Sequence, residues 1–399
     1  MKKYRASISL FLFILVVFSL FFYQSSILAK QYPHYSFETL EGDASLIDSL
    51  VIEGELSNDQ GFYELFELTR EGTKYQREKS FVERMTDVYI PKEIAQLEKE
   101  VPHFMRGKGT FPEHYMKKDD TLIFVDFPYN NLGLFKGYIQ IECYDFKTKE
   151  SKSFELDFPI RSDYLSLEKM YLEDDRLYLF IVVTHFIDEL EVEDEVVLLA
   201  FDLEKGEEIY MTKEKFNLTD HGSQGLFILG DGESGSDFLL AQLEIEEIIE
   251  EDYEEKVKQV VLKSADLSNG SWTELTLPEQ FSKGVYPIAY DGEKVTFIDS
   301  DPQGLSFIRY DIESEKGEEV FRLEENVLPV DHFMLYWSIE NDGKWYLLQS
   351  DYSNKRGILM IVDIAKTELL YHGVIEAEED IEKFNLELHY LNLMNRLSL

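Results

Sequence analysis

What most limits the fold of this chain is a strand-and-turn pattern that returns along nearly its whole length. Each copy opens with an Asp- or Gly-rich turn and an aromatic and aliphatic run. A polar loop follows, then a second run ending apolar-Asp-apolar, then a turn built from Lys, Glu or Gly. One copy shows the pattern whole. Val285 to Tyr290 leads to Asp291-Gly292 and Lys294 to Asp299; after Asp301-Pro302-Gln303-Gly304 come Leu305 to Ile312, a turn over Glu313 to Gly317, and Glu319 to Leu323. That reads as four short strands. Asp-Gly between alternating apolar runs predicts a type I′ hairpin, because both residues tolerate positive φ.

The same grammar recurs with other residues. Asp119-Asp120 precedes Leu122 to Asp126, with Ile139 to Phe146 after it; Asp174-Asp175 precedes Leu177 to Thr184, with Val196 to Leu203 after it. Ser236-Asp237 precedes Phe238 to Leu243 and then Val260 to Leu267, and Asp342-Gly343 precedes Trp345 to Gln349 and then Ile358 to Ile364. A degraded sixth copy is read in Ser49 to Glu55 and Phe62 to Leu68, where Glu67 takes the Asp place. The recurrent acids, Asp145, Asp202, Asp266, Asp311 and Asp363, lie 45 to 64 residues apart, as constant strands with variable loops would place them. The runs alternate with period two and are rich in Val, Ile, Tyr and Phe, which excludes helices as the repeating unit.

The expected class is all-β. In this strand grammar the chain resembles the exported bacterial β-propellers over residues 45–399, without a Trp-Asp or kelch di-glycine signature. The resemblance implies six four-stranded blades, or seven, closed around an axis so that no end edge stays bare. A sandwich, two smaller β-domains or an open solenoid are the alternatives. Two segments break the rhythm. Residues 86–100, with Pro91 suited to a first helical turn and Ile94 and Leu97 on one side, predict a short helical insertion. Leu243 to Lys258 reads as an acidic loop or a prolonged hairpin.

The first residues bear on compartment. Lys2, Lys3 and Arg5 precede a stretch without charge from Ala6 to Ala29, so residues 1–29 are read as a signal peptide or signal anchor. Residues 30–44 are then a linker and 45–399 the propeller domain. The basic end stays inside and everything from Lys30 lies outside, held at the cell membrane, or secreted if cleavage follows Ala29. Cys143 is the only cysteine, so no intramolecular disulfide forms and the core alone must hold the domain. The net charge of -40 argues against nucleic acid as a partner and leaves a protein or cell-envelope component.

Catalytic signatures do not emerge. There is no Gly-x-Ser-x-Gly elbow, His-Glu-x-x-His, phosphate-cradling loop or cysteine pair, and the eight histidines are scattered, His103 and His114 included. Cys143 lies inside an apolar run and reads as a buried, inert thiol. No cofactor is expected and no metal ligands are assigned; calcium is the one cation that the alternating acids Asp231, Glu233 and Asp237, or Asp299 and Asp301, could hold. The repeated strand-end Asp reads as a turn hydrogen-bond acceptor. Candidate ligand-binding residues are those that a propeller would gather on one face: Asp126, Tyr129 and Asn130 with Phe127; His185 with Phe186; Asp299 and Asp301; Asp351 and Tyr352. The expected function is a non-enzymatic, membrane-tethered interaction or ligand-binding module. A propeller hydrolase or lactonase, with a carboxylate or calcium site on its axis, is the alternative.

Overall fold

The computed structural model describes Val16 and residues 32–57, 63–78, 92–130, 133–160, 162–186, 192–215, 223–230, 238–249, 253–281, 284–301, 304–324, 337–341, 344–351, 356–363, 366, 368–377 and 385–393. In chain order, β1 (Tyr35–Gly42), β2 (Leu50–Ser57), β3 (Tyr63–Thr69) and β4 (Gly72–Tyr75) precede the helices α1 (Lys92–Glu100) and α2 (Pro102–Met105). Then follow β5 (Tyr115–Lys118), β6 (Thr121–Asp126), β7 (Tyr138–Asp145) and β8 (Ser151–Asp157), and β9 (Tyr164–Glu173), β10 (Arg176–Phe186), β11 (Val192–Asp202) and β12 (Glu207–Lys215). Next are β13 (Ser223–Leu229), β14 (Phe238–Ile249), β15 (Tyr253–Asp266) and β16 (Ser271–Leu275), and β17 (Val285–Tyr290), β18 (Lys294–Asp301), β19 (Gly304–Asp311) and β20 (Lys316–Glu324). The chain closes with β21 (Trp337–Asn341), β22 (Lys344–Asp351), β23 (Arg356–Asp363), β24 (Glu368–Ala377) and β25 (Asn385–Leu393).

These strands form six antiparallel sheets, and the protein is a β-propeller. Blade I is β25-β2-β3-β4. Blades II to V are the successive meanders β5 to β8, β9 to β12, β13 to β16 and β17 to β20. Blade VI is β21 to β24 with β1 added outside β24. The chain divides into two compact units, residues 1–90 with 334–396, which holds blades I and VI, and 91–333 with 397–399, which holds blades II to V.

In the first unit the early strand β1 and the late strand β25 each join a sheet whose other strands lie far off in sequence. β25 pairs with β2 from Leu50↔Leu393 to Ser57↔Asn385, and β1 pairs with β24 from Tyr35↔Ala377 to Gly42↔Tyr371. The stretch 30–44 is therefore not a linker throughout, since it supplies a strand. Tyr35 is the reason: its ring is buried and stacks on Phe66 at 5.6 Å. The Thr73 hydroxyl accepts from the Tyr35 N–H and donates to its carbonyl, both at 2.7 Å. Tyr75 adds a hydrogen bond to the Pro33 carbonyl.

In the second unit burial falls from the middle of each blade to its outer edge. β10 is apolar on both faces. Leu177, Leu179, Ile181 and Val183 pack with blade II, while Tyr178 and Phe180 pack with Phe238 and Ala265 of blade IV. A strand covered on both faces reads as a continuous apolar run, here Leu177 to Val183. The outermost β8 and β12 are largely exposed and alternate with Lys and Glu. Leu243 to Lys258 is a prolonged hairpin, with β14 paired to β15 out to Ile249↔Tyr253. The predicted insertion is helical from Lys92, with Ile94 and Leu97 fully buried; residues 86–91, Pro91 among them, lie outside the described residues.

The recurrent acids share one job. Asp145 accepts from the N–H groups of Lys147 and Thr148 at 2.8 and 2.7 Å. Asp202 accepts from Glu204 and Lys205, Asp266 from Ser268, Asp311 from Ser314 and Asp363 from Lys366, at 2.8 to 3.1 Å. Four residues on from the first four acids, Lys149, Gly206, Gly270 and Glu315 take positive φ and close the hairpin between the third and fourth strands. The Asp291-Gly292 turn differs from the type I′ expectation. Only Gly292 has positive φ (96°), and Asp291 instead caps a three-residue loop, its carboxylate accepting from Glu293 and Lys294 at 3.1 and 2.8 Å.

Candidate functional site

The best-defined surface feature of the second unit is an aromatic end shared by blades II and III. The segment after β6 folds tightly on itself. Tyr129 bridges to Phe135, the Asn130 N–H donates to the Leu134 carbonyl at 2.8 Å, and the Asn130 side-chain oxygen accepts from the Leu134 N–H at 3.1 Å. Gly133, at φ 75°, permits the reversal. This loop rests on a cluster of rings of which Phe127 is buried. Phe127 lies 6.5 Å from Phe135 and 5.8 Å from His114, and Phe111 lies 5.6 Å from His114.

Blade III meets it at the start of β9 and the end of β10. The Leu165 backbone and Tyr164 both lie close enough to act on the Tyr129 phenol electrostatically. Thr184 is the strand partner of Tyr164, and the Phe186 N–H donates to the Asp163 carboxylate at 2.9 Å. The Thr184 hydroxyl in turn donates to Asp194 at 2.7 Å. Phe111, Leu134, Tyr164 and Phe186 are each 57 to 61 % exposed, which is uncommon for such large apolar side chains gathered at one end of two sheets. Burial holds the His114 imidazole below its ordinary pKa, with Glu113 and Asp126 opposing in part. The ring is therefore neutral near pH 7.

The expected site residues divide accordingly. Asp126 ends β6 opposite Gln140 and is half-buried, and with Tyr129 and Asn130 it belongs to the aromatic end. His185, half-buried, stands opposite Glu193 beside Phe186. Asp299 is placed near the end of β18 in blade V, opposite Val285 and Ser306, and Asp301 closes the same hairpin against Gly304. Asp351 ends β22 opposite Arg356 in the other unit, and Tyr352 lies outside the described residues, as do Asp231, Glu233 and Asp237. Sequence reasoning missed Phe111, Leu134, Asp163 and Tyr164. Asp163 ends the connection between the fourth strand of one blade and the first of the next, and Tyr164 opens that next strand; tracing those connections as well as the loops inside each blade would have found them.

Blade II also carries the helical insertion, whose Lys108 shares Phe124 with His114 of the aromatic end. Lys108 lies 2.6 Å from Glu142 and stands over the rings of Phe104 and Phe124 at 4.3 and 5.1 Å. Gln140 donates to the other Glu142 oxygen at 2.7 Å. The pair is internally neutralised and so serves as a clamp. Burial pushes the Cys143 thiol up to about 11, which keeps it protonated and a poor nucleophile near pH 7. Among the described residues no three His, Cys, Asp or Glu side chains group to hold a metal ion, and no helix is long and apolar enough to cross a membrane.

No protein-family model and no curated protein matches the chain. Among solved structures it is similar to TolB from Acinetobacter baumannii, at 12 % identity and TM-score 0.33, over 86 % of this chain and 66 % of that one. It is also similar to the β-propeller domain of the trilobed protease from Pyrococcus furiosus, at 11 % identity and TM-score 0.35, over 85 % of this chain and 83 % of that one. A Mycobacterium tuberculosis puromycin-hydrolysing peptidase gives 9 % identity and TM-score 0.38, over 85 % of this chain and 49 % of that one. The chain thus spans just under two thirds of the TolB chain and about half of the peptidase. The propeller assignment rests on the sheet order of this chain itself.

Proposed function

We propose that this protein is an extracytoplasmic, membrane-tethered interaction module that does no chemistry of its own and presents the aromatic end of blades II and III to a protein or other cell-envelope component. The observation that carries the reading is the exposure of Phe111, Leu134, Tyr164 and Phe186 beside Tyr129 on a framework of paired strands. Apolar side chains gathered in this way mark a surface that something else covers. The tether reading rests on the uncharged stretch Ala6 to Ala29, which ends just before the hydrogen-bonded segment at Tyr32.

Replacing Tyr164 with a photo-crosslinking phenylalanine derivative in intact cells tests this. An ultraviolet-dependent adduct at position 164, and none when Ile209 on the exposed edge strand β12 is replaced instead, is the expected result. Equal labelling at both positions, or none at 164, would remove the interaction surface. Hydrolysis of an ester, lactone or peptide by the purified protein would replace this reading with the hydrolase or lactonase alternative.

A further inference from the structure

From the charges around the aromatic end we infer that its occupant is an extended protein segment carrying Lys or Arg side chains, an inference that rests on the interaction reading above. Among the described residues at this end of blades II and III, the carboxylates of Glu113, Asp126, Asp157, Asp163 and Asp194 outnumber the exposed cations Lys136 and Lys215, and Lys215 stands on the outer strand β12 opposite a further acid, Glu195. The acids are interleaved with aromatic faces: Asp163 is followed directly by Tyr164 and bonded to the Phe186 backbone, and Asp126 acts on the Tyr129 phenol. An ammonium or guanidinium gains from both at once, through ion pairing at the carboxylate and through the negative face of the ring. A neutral apolar partner would gain from the rings alone and would have to desolvate the carboxylates without compensation.

The shape agrees. The exposed side chains stand on the loop of blade II and on the strand ends of blade III, and a chain laid across the two sheets with alternate side chains turned down would reach both. The net charge of -40 draws such a segment in from solution but cannot position it. Position has to come from the exposed aromatic side chains.

Fluorescein-labelled peptides of repeating Ser-Arg-Gly, Ser-Glu-Gly and Ser-Leu-Gly, titrated with the full chain in about 0.15 M salt, where charges are screened beyond about 8 Å, provide the test. The arginine peptide should bind at least about tenfold more tightly than the other two. The double variant Tyr164→Ala, Phe186→Ala, which leaves every charge in place, should weaken it by about tenfold or more, and Asp163→Asn should weaken it too. Glu274→Gln on the exposed edge strand β16 should leave it unchanged. If the aromatic double variant binds the arginine peptide as well as the parent, the attraction is only the diffuse field of an acidic protein and the inference falls. Tighter binding of the leucine peptide would overturn it as well. The crosslinking experiment separates the two levels. An adduct at position 164 to a segment with no basic residue leaves the interaction reading standing and removes this one, whereas no adduct removes both.

Discussion

The clamp beneath the helical insertion invites a quantitative test. Lys108 and Glu142 have side chains only 8 % and 19 % exposed, and the ammonium is enclosed by Phe104 and Phe124. Glu142→Leu strands that ammonium between two rings with no carboxylate. A buried charge that loses its partner costs about 3 to 5 kcal/mol, and the residual exposure of position 142 points to the lower end, about 3 kcal/mol. Since 1.36 kcal/mol is a factor of ten, local opening of the insertion should become about 150-fold more frequent. Hydrogen exchange read by mass spectrometry over residues 94–105, the buried part of the insertion, measures that opening directly. The double variant Lys108→Met, Glu142→Leu removes both charges while keeping apolar atoms against the rings, and should lie within about 1 kcal/mol of the parent. Unchanged exchange in Glu142→Leu, or a double variant whose loss equals the sum of the single losses, would refute the claim that the pair holds the insertion down.

Other consequences are as direct. Gly270 and Gly133 have nearly the same φ, 74° and 75°, but a Cβ at 270 would stand 2.5 Å from the Tyr210 ring whereas one at 133 meets nothing within 4 Å. In thermal melts Gly270→Ala should therefore be the more destabilising by about 1 to 3 kcal/mol, the cost of overpacking alone. The Asp145, Asp202, Asp266 and Asp311 carboxylates are held below their ordinary pKa, chiefly by the Thr148 and Ser314 backbone N–H groups, the Lys205 ammonium and the Ser268 hydroxyl. Stability from these acids is present above the ordinary carboxylate pKa and is lost as pH falls through the depressed folded values. Urea midpoints should accordingly drop below about pH 4, and converting the four to Asn should flatten that limb. His372 is buried opposite Glu41, and burial lowers its pKa, so the fold favours the neutral ring. Stability should weaken as pH falls through about 6.5, and His372→Gln should remove that slope.

Much of the fold was legible in the sequence, because its punctuation is chemical. A hairpin whose fifth residue takes positive φ needs an acceptor at its first position, and Asp145, Asp202, Asp266 and Asp311 supply it at the same offset each time. β1 was not legible. It is polar for its length, and its partner β24 lies more than three hundred residues away, so no local period could report the pairing. The Asp291-Gly292 turn was misread for a related reason: the Asp291 carboxylate satisfies two backbone N–H groups and so favours a three-residue loop over the two-residue one. At the aromatic end, Tyr129 and Asn130 stood out as loop residues. Tyr164 and Leu134 did not, because whether an apolar residue at a strand boundary is covered depends on its neighbours in space, which periodicity does not record.

Because β25 completes blade I, a nascent chain has to emerge as far as Leu393 before Leu50–Ser57 finds its neighbour on that side. During that interval one flank of the first-made sheet displays unpaired N–H and C=O groups, a template for strands from other molecules. Synthesis order thus makes β25 a safeguard against misassembly, and a chain cut short before residue 385 would be prone to aggregate.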